Sequence, residues 1–371
     1  MVNMVGKIPV RNLWLLMLYA SDLYRHLDPQ KVKIEDAPDE IADLVAEILC
    51  TEVEKRVRKN LTSGYMDTSE VVSRVRGRID VLTTERKRLM DKGKVACTFS
   101  DFSVNTVRNR LVKGALERIS GYVTRKHLGQ RSRSLAKTLD AMGVYGSMPS
   151  RVEISREYYG RNDAADLRMI AAARLACDLA LPTEDSGTNH LNAPERKETW
   201  VRHLFERAVG GFYRHVLPSP AWKVLTGIPY RWPVDAMSEG MESILPGMRT
   251  DIILEHEAQR IVIDTKFTSV LTQGYHRDQS LKSGYIYQMY TYLRSQEKAG
   301  DPLTLNTVGL FIHPSAGLNV DEFFTVQGHQ IRFKTIDLTA TAMSIRTELL
   351  HAIPGLYEVS SGFSRVNSQV H

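Results

Sequence analysis

The sequence predicts an α+β domain over residues 1–190, followed by an α/β domain with a mixed central sheet over residues 191–371. A chain of 371 residues has room for two domains, since domains usually hold about 150 residues. Residues 51–150 carry 21 Lys and Arg against 10 Asp and Glu, whereas residues 191–371 carry 18 of each. The polar, turn-rich segment Pro182–Pro194 is typical of a linker between two domains with different charge.

The composition indicates a globular, intracellular protein. Hydrophobic residues make up 43% and charged residues 25% of the chain, both ordinary values. The three cysteines include no CxxC pair, which argues against a structural zinc site. The apolar stretch Leu13–Ala20 is too short for a membrane span, and no signal-peptide cleavage pattern follows it. We therefore expect a cytoplasmic protein, and the net charge of +6 favours an acidic partner such as nucleic acid.

Each element of the first half is predicted from the spacing of its apolar residues. Apolar residues three and four apart predict helices, and short runs around glycine predict strands. The strand-like region is Val71–Phe102, and the predicted helices are Leu13–Leu27, Ile41–Leu61, Arg108–Tyr122 and Asp163–Leu181, the last with Asn162 as its cap.

The second half reads as helix, strand, strand, helix, strand, and this order predicts a sheet with mixed pairing. The predicted helices are Glu195–His215 and Ser283–Gln296, and the predicted strands are Met248–Leu254, Arg260–Thr265 and Thr307–His313.

A constellation of charged residues falls at the ends of two of these strands. Asp251 begins the first, and the second ends in Asp264-Thr265-Lys266. The intervening EHEAQ is a turn, so the strands form a hairpin that brings Asp251 and Asp264 close together. Side chains alternate along a strand, so Asp264 and Lys266 share a face. An isolated D-x-K is also typical of a surface ion pair, but here an apolar strand precedes it. Carboxylates suit Mg²⁺, and a lysine there would position water and stabilise developing charge.

Three further residues are candidates for the same site. Glu206 lies on the preceding helix and would give a third metal carboxylate, although a helix glutamate is as often simply solvated. Gln288 and Tyr292 are four residues apart and share one helix face. They would bind the DNA backbone or support the catalytic sheet, and a plain polar edge of an amphipathic helix is the alternative.

These residues resemble a known family. The pattern Asp251…Asp264-Thr265-Lys266 resembles that of the PD-(D/E)xK nuclease superfamily, and Gln288 with Tyr292 resembles its Q-xxx-Y motif. The residues of these motifs are similar to those of McrC, the nuclease subunit of McrBC-type restriction systems. The segments that carry this resemblance are Ile8–Asn12 (IPVRN), Val75–Ile79 (VRGRI), Leu245–Ile252 (LPGMRTDI), Val262–Lys266 (VIDTK) and Tyr287-Gln288. The superfamily's proline before the first aspartate is replaced by Thr250.

The resemblance implies a PD-(D/E)xK nuclease domain that cleaves double-stranded DNA with Mg²⁺, or with Mn²⁺ as an alternative. It implies catalytic roles for Asp251, Asp264 and Lys266, with metal contacts from Asp251, Asp264 and Glu206. It also implies that residues 1–190 dock on an McrB-like AAA+ GTPase ring and stimulate it. Arg76 and Arg78, beside Gly77, are candidate contacts for this partner, and an exposed strand turn is the alternative.

A dependence on such a partner agrees with the sequence, because the chain has no GxxxxGK[ST] motif to bind a nucleotide itself. Two alternatives remain open: a non-catalytic GTPase activator with a vestigial nuclease fold, and a stand-alone Mg²⁺-dependent DNase. Because duplex cleavage needs two nicks, a homodimer of the nuclease domain within the complex is also expected.

Overall fold

The computed structural model describes most of the chain, in two compact units. The described residues are 4–5, 8–27, 40–160, 163–184, 194–272, 280–316 and 318–354. One unit comprises Met1–Ile41 with Ser186–His371, and the other comprises Ala42–Asp185.

The elements of the described residues are numbered in chain order. The helices are α1 (Val10–Tyr19), α2 (Ile41–Arg58), α3 (Val81–Arg86), α4 (Val107–Ile119), α5 (Lys126–Ala141), α6 (Arg151–Arg156), α7 (Ala164–Glu184), α8 (Pro194–Val216), α9 (Met241–Ile244), α10 (Ser283–Ser295), α11 (Pro302–Leu305) and α12 (Ala342–His351). The strands are β1 (Met4–Val5), β2 (Ile8–Pro9), β3 (Gly64–Val72), β4 (Arg78–Ile79), β5 (Val95–Ser103), β6 (Lys223–Tyr230), β7 (Met248–His256), β8 (Gln259–Thr265), β9 (Leu271–Thr272), β10 (Ser280–Leu281), β11 (Val308–Ser315), β12 (Asp321–Val326) and β13 (His329–Asp337).

A six-stranded mixed sheet organises the first unit, in the order β12-β13-β11-β8-β7-β6. Strand β11 pairs in parallel with both β8 and β13, and the remaining pairs are antiparallel. The two parallel strands β8 and β11 are buried almost throughout, as expected for central strands. The predicted mixed sheet is therefore confirmed.

Two long helices cover this sheet because each has an apolar face. Helix α10 lies between β8 and β11 in sequence, and its Met289 and Leu293 pack in a core with Val262 and Phe311. Helix α8 packs against β6 and β7, and its Phe212 contacts Tyr19 of α1 with ring centroids 5.1 Å apart. Helices α8 and α10 thus place their polar residues near the ends of β7 and β8.

The second unit is an antiparallel three-stranded sheet, in the order β3-β5-β4, with a group of helices. Helix α4 packs against α5 and α7. The fully buried Asp166 forms an ion pair with Arg56 at 2.8 Å and accepts a hydrogen bond from Thr62 at 2.6 Å. This α+β content agrees with the prediction for the first half.

The element bounds differ from the prediction at several places. The first helix ends at Tyr19 instead of Leu27. The strand-like region Val71–Phe102 begins earlier, at Gly64, and contains helix α3. A separate helix, α5, follows the predicted helix Arg108–Tyr122. Strands β6, β12 and β13 and helix α12 were not predicted. Residues 8–27 belong to the compact unit of the sheet, although the prediction places them in the N-terminal domain. The predicted cap Asn162 and the predicted boundary near residue 190 lie outside the described residues.

Within the described residues, every helix is too short or too polar to span a membrane.

Candidate active site

Asp251 and Asp264 come together where strands β7 and β8 separate. The β7–β8 ladder continues to the pair of Ile252 with Ile263, one residue short of both aspartates. Beyond that pair, the amide of Thr265 donates to Asp251 Oδ2 at 2.7 Å, and the Thr265 hydroxyl donates to the same oxygen at 2.9 Å. The backbone amide of Lys266 donates instead to the carbonyl of Ile312 on β11. The predicted hairpin is confirmed, and it brings both carboxylates to one end of the sheet.

Asp264 is a buried carboxylate in an electrostatically strained setting. Its side chain is 4% exposed. Its pKa is raised to about 6, chiefly because burial penalises the charged form. The negative charge of Asp251 raises this pKa further, and the Lys266 ammonium opposes the shift. Such a carboxylate gains from any cation that enters the site.

Lys266 lies against Asp264, as the alternation of side chains predicted. Its Nζ atom is 2.9 Å from Asp264 Oδ2 and donates to Gln288 Oε1 at 2.9 Å. The ammonium also lies 5.0 Å from the ring centre of Tyr285, within the range of a cation–π contact. These contacts fix the position of the lysine from three sides.

Gln288 and Tyr292 of α10 form a hydrogen-bonded chain behind the aspartates. Gln288 Nε2 donates to Asp264 Oδ1 at 3.2 Å and to the Tyr292 hydroxyl at 2.7 Å. The Tyr292 hydroxyl in turn donates to the backbone carbonyl of Arg249 on β7, at 2.9 Å. Both side chains therefore contact the part of the sheet that carries the two aspartates, and their functional role stays a prediction.

Glu206 lies on α8, near the aspartates. Its pKa is raised, first by burial and then by the negative charge of Asp251, while His203 and Arg249 lower it. His203 Nδ1 lies 3.7 Å from Glu206 Oε2. Glu206 is therefore close enough to Asp251 to interact with it electrostatically, and its role as a metal ligand stays a prediction.

The donor set fits a magnesium ion held mainly by water. Within the described ranges, no group of three or more His, Cys, Asp or Glu side chains is arranged as ready-made metal ligands. Mg²⁺ does not need such a group, because it usually takes one or two carboxylates and keeps several waters. Asp264 Oδ2 is buried, and its charged neighbour is the Lys266 ammonium at 2.9 Å, so a cation would share this oxygen with the lysine. Asp251 and Asp264 would hold the metal, with Glu206 as a further candidate ligand.

Arg76 and Arg78 belong to the second unit, in and beside strand β4. The Arg76 guanidinium forms an ion pair with Asp101 at 2.7 Å and lies 4.1 Å from the Phe99 ring centre. Arg78 is exposed and pairs by backbone with Thr98. Arg76 is thus partly engaged within its own sheet, and both positions stay candidates for a partner contact.

Two contributors to the site were missed from the sequence. Thr265 was not proposed as a site residue, yet both its amide and its hydroxyl donate to Asp251. Tyr285 was not singled out, although its ring faces the Lys266 ammonium. A threonine between two catalytic charges is the one sequence signal that could have pointed to the first contact.

Comparison with known proteins finds similar sequences. Residues 3–158 match the family described as the McrBC 5-methylcytosine restriction system component. The Type IV methyl-directed restriction enzyme EcoKMcrBC of Escherichia coli K12 is 23% identical over 351 residues, which are 92% of this chain and 96% of that relative. The chain is thus similar in sequence to McrBC restriction components.

Two solved McrBC assemblies of Thermococcus gammatolerans are also similar to the chain. A half-complex of McrB AAA+ hexamers with bound McrC matches with 14% identity and a TM-score of 0.42, covering 93% of this chain and 76% of that chain. A second McrBC complex matches with 11% identity and a TM-score of 0.30, covering 51% and 62%. TM-scores below 0.5 do not establish a common fold.

Proposed function

We propose that the chain is the nuclease subunit of an McrBC-type, modification-dependent restriction system. In this proposal it hydrolyses phosphodiesters of double-stranded DNA with Mg²⁺, for which Mn²⁺ is the alternative. It works with an McrB-like AAA+ GTPase, whose GTP hydrolysis it stimulates. The relation to the McrBC components supports the type of system, and the site supports the type of chemistry.

The observation that carries the proposal is the convergence of Asp251, Asp264 and Lys266 at one end of the mixed sheet. A surface ion pair would leave these groups solvated, whereas here Asp264 is buried beside a second carboxylate with its pKa raised to about 6. A protein that keeps two carboxylates and an ammonium together at the end of buried strands pays a desolvation cost. Function is the usual reason for such an arrangement.

Each residue of the site has a distinct part in phosphodiester hydrolysis. A bound Mg²⁺ supplies Lewis-acid chemistry and lowers the pKa of a coordinated water. Asp251 and Asp264 provide its carboxylate oxygens. Lys266 orients the attacking water and stabilises the negative charge that develops on the phosphate, since an ammonium is a poor base at neutral pH. Gln288 holds Lys266 in place through its amide oxygen.

The partner follows from the relation to McrBC systems and from the distribution of charge. The relative from Escherichia coli is a methyl-directed restriction enzyme. The segment 51–150 carries the whole excess of basic residues, so it is the part suited to meet an acidic surface of the GTPase or the DNA that the GTPase moves. Two nicks are needed for duplex cleavage, so two nuclease domains would act together in the assembly.

The proposal is tested by plasmid cleavage with the purified chain, an McrB-like GTPase, GTP and Mg²⁺. Methylated plasmid should be cut by the full mixture and left intact without the GTPase or with EDTA. Cutting by the chain alone would identify a stand-alone DNase. GTPase stimulation without any cutting would identify an activator with a vestigial nuclease fold, and either result would overturn this proposal.

A further inference from the structure

A cavity of about 330 Å³ opens beside the candidate catalytic carboxylates, within the first unit. Glu206 and Asp251 line one part of it. Four arginines line the rest: Arg25, Arg207, Arg214 and Arg249. The cavity therefore has an acidic end, which is suited to a metal, and a basic wall formed by the four arginines.

The basic part of this cavity has more positive charge than its own carboxylates neutralise. Arg25 lies 3.4 Å from Asp22, the remaining acidic residue of the lining. Within the described part of the chain, Arg207 and Arg214 donate only to uncharged groups, the Ala20 carbonyl at 3.2 Å and the Thr226 hydroxyl at 2.8 Å. Burial lowers the pKa of Arg214, and the positive charge of Arg25 lowers it further. An anion in the cavity would relieve this repulsion.

Glycines allow the elements around the cavity to pack closely. Gly210 and Gly211 follow Glu206 by about one turn of α8, and added Cβ atoms there would meet Thr226 and the Tyr19 carbonyl oxygen. Gly227 of β6 lies opposite Asp251, between the pairs of Thr226 with Ile252 and Ile228 with Thr250. It has a φ of +65°, and a Cβ atom there would lie 2.5 Å from the Arg249 guanidinium. Gly227 therefore gives Arg249 room to occupy the cavity.

The dimensions fit a nucleic-acid strand that continues past the cleavage point. Eight residues separate Glu206 from Arg214, which corresponds to about 12 Å along the helix axis. This length exceeds the size of one phosphate and allows a neighbouring phosphate to bind while another occupies the metal end. Arginine is the side chain best suited to phosphate, because its planar guanidinium donates two parallel hydrogen bonds.

We propose that this cavity is a backbone-phosphate subsite, in which Arg214 and Arg249 hold a DNA phosphate next to the one that is cleaved. The proposal rests on the nuclease function proposed above and adds the residues that position the strand. Arg207 and Arg25 extend the same basic wall. These arginines are positioning residues, because they act on a phosphate that does not react.

The test measures binding of a labelled DNA duplex to the full chain in EDTA, over a series of salt concentrations. Each lost phosphate contact reduces the slope of log K against log salt by about 0.9 for duplex DNA. Arg214→Gln and Arg249→Gln should each weaken binding about tenfold and reduce the slope by about one. Arg214→Lys, which keeps the charge, should retain the wild-type slope. Arg231→Gln is the matched control, since Arg231 is exposed and lies outside the cavity.

The outcomes separate this inference from the proposed function. Unchanged slopes in folded Arg214→Gln and Arg249→Gln variants, or no DNA binding by the wild-type chain, would overturn the subsite. Competition by millimolar inorganic phosphate with no difference in DNA binding between the variants and the wild type would reassign the cavity to a free anion. Absence of cleavage by the wild-type chain with its GTPase would instead contradict the nuclease proposal, and the salt slopes would still report on the cavity.

Discussion

At the scale of single residues, the site depends on the carboxylate of Asp264, whose ionised form is disfavoured by burial. Asp264 is buried next to Asp251, and only Lys266 and the Gln288 amide stabilise its negative form within the described residues. Removing the ammonium while keeping the size of the side chain isolates its contribution.

Lys266→Met should reduce cleavage by at least about 100-fold, because the developing charge on the phosphate loses its nearest cation. Lys298→Met is the matched control, since Lys298 is an exposed lysine of the same unit. The measurement is the initial rate of plasmid cleavage with saturating GTPase partner. A cleavage rate of Lys266→Met within a few-fold of wild type would show that the lysine only forms a structural ion pair with Asp264.

His313 gives the stability of the chain a defined dependence on pH. Its side chain is fully buried, its Nδ1 lies 2.9 Å from the Thr268 carbonyl, and burial lowers its pKa to about 4. The unfolded pKa is higher, near 6.5, so the folded state resists protonation. The stabilisation from a neutral His313 is complete above about pH 6.5 and is lost as the pH falls through 4.

His313→Phe should therefore flatten the decrease in unfolding free energy between pH 6.5 and pH 4, by up to about 3 kcal/mol. Phenylalanine is a suitable replacement because the imidazole packs near the rings of Phe311 and Phe333. Urea unfolding at several pH values measures the effect. Parallel curves for the wild type and the variant would contradict the assignment of acid sensitivity to His313.

At the scale of elements, close packing of helices places the catalytic side chains. Helix α8 carries Glu206 and approaches the end of α1 at Gly211, where an added Cβ atom would lie 1.9 Å from the Tyr19 carbonyl oxygen. That oxygen belongs to the backbone and cannot move without shifting α1.

Gly211→Ala should destabilise the chain by about 1–3 kcal/mol, as overpacked cores do. Gly284→Ala, in the first turn of α10, has no atom within 4 Å of the added Cβ and should be neutral or slightly stabilising. Thermal or urea unfolding of the two variants gives the comparison. Equal stability of both would mean that α1 and α8 are less closely packed than described.

Helix α10 positions its polar edge through Tyr292. Tyr292→Phe removes the hydroxyl that links Gln288 to the Arg249 carbonyl, and should cost about 1 kcal/mol of stability and lower cleavage several-fold. Tyr290→Phe is the matched control on the same helix, because the Tyr290 hydroxyl contacts the side chain of Gln327 at an exposed position. Cleavage rates that fall equally for both would show that the Tyr292 link is not specific to the site.

The comparison of sequence and structure also belongs at this scale. The apolar run before Asp264 predicted a buried strand correctly, because burial on both faces leaves a continuous hydrophobic signature. The prediction of a strand at Thr307–His313 is likewise confirmed, by Val308–Ser315. The hairpin of β7 and β8 was predicted from the turn sequence EHEAQ that connects the two strands. The contact of Thr265 with Asp251 was not predicted, because the pairing of β7 with β8 ends at Ile252 and Ile263 and the ladder does not fix the geometry beyond that pair. The cavity could not be predicted either, because its arginines come from three separate parts of the chain: residues 24–26, α8 and β7.

At the scale of the whole molecule, chemistry and excess charge lie in different parts of the chain. The candidate nuclease site belongs to the unit of residues 1–41 and 186–371, while the basic segment 51–150 belongs to the other unit. This separation predicts that loss of cleavage leaves the effect on the GTPase intact.

The most direct measurement compares the wild-type chain with Asp264→Asn in one mixture of methylated plasmid, McrB-like GTPase, GTP and Mg²⁺. The amide keeps the size of the side chain but removes the metal-binding charge. We predict that Asp264→Asn abolishes cleavage, by at least about 100-fold, while GTP hydrolysis is stimulated as strongly as by the wild type. Cleavage that continues at the wild-type rate with Asp264→Asn would contradict the assignment of the active site.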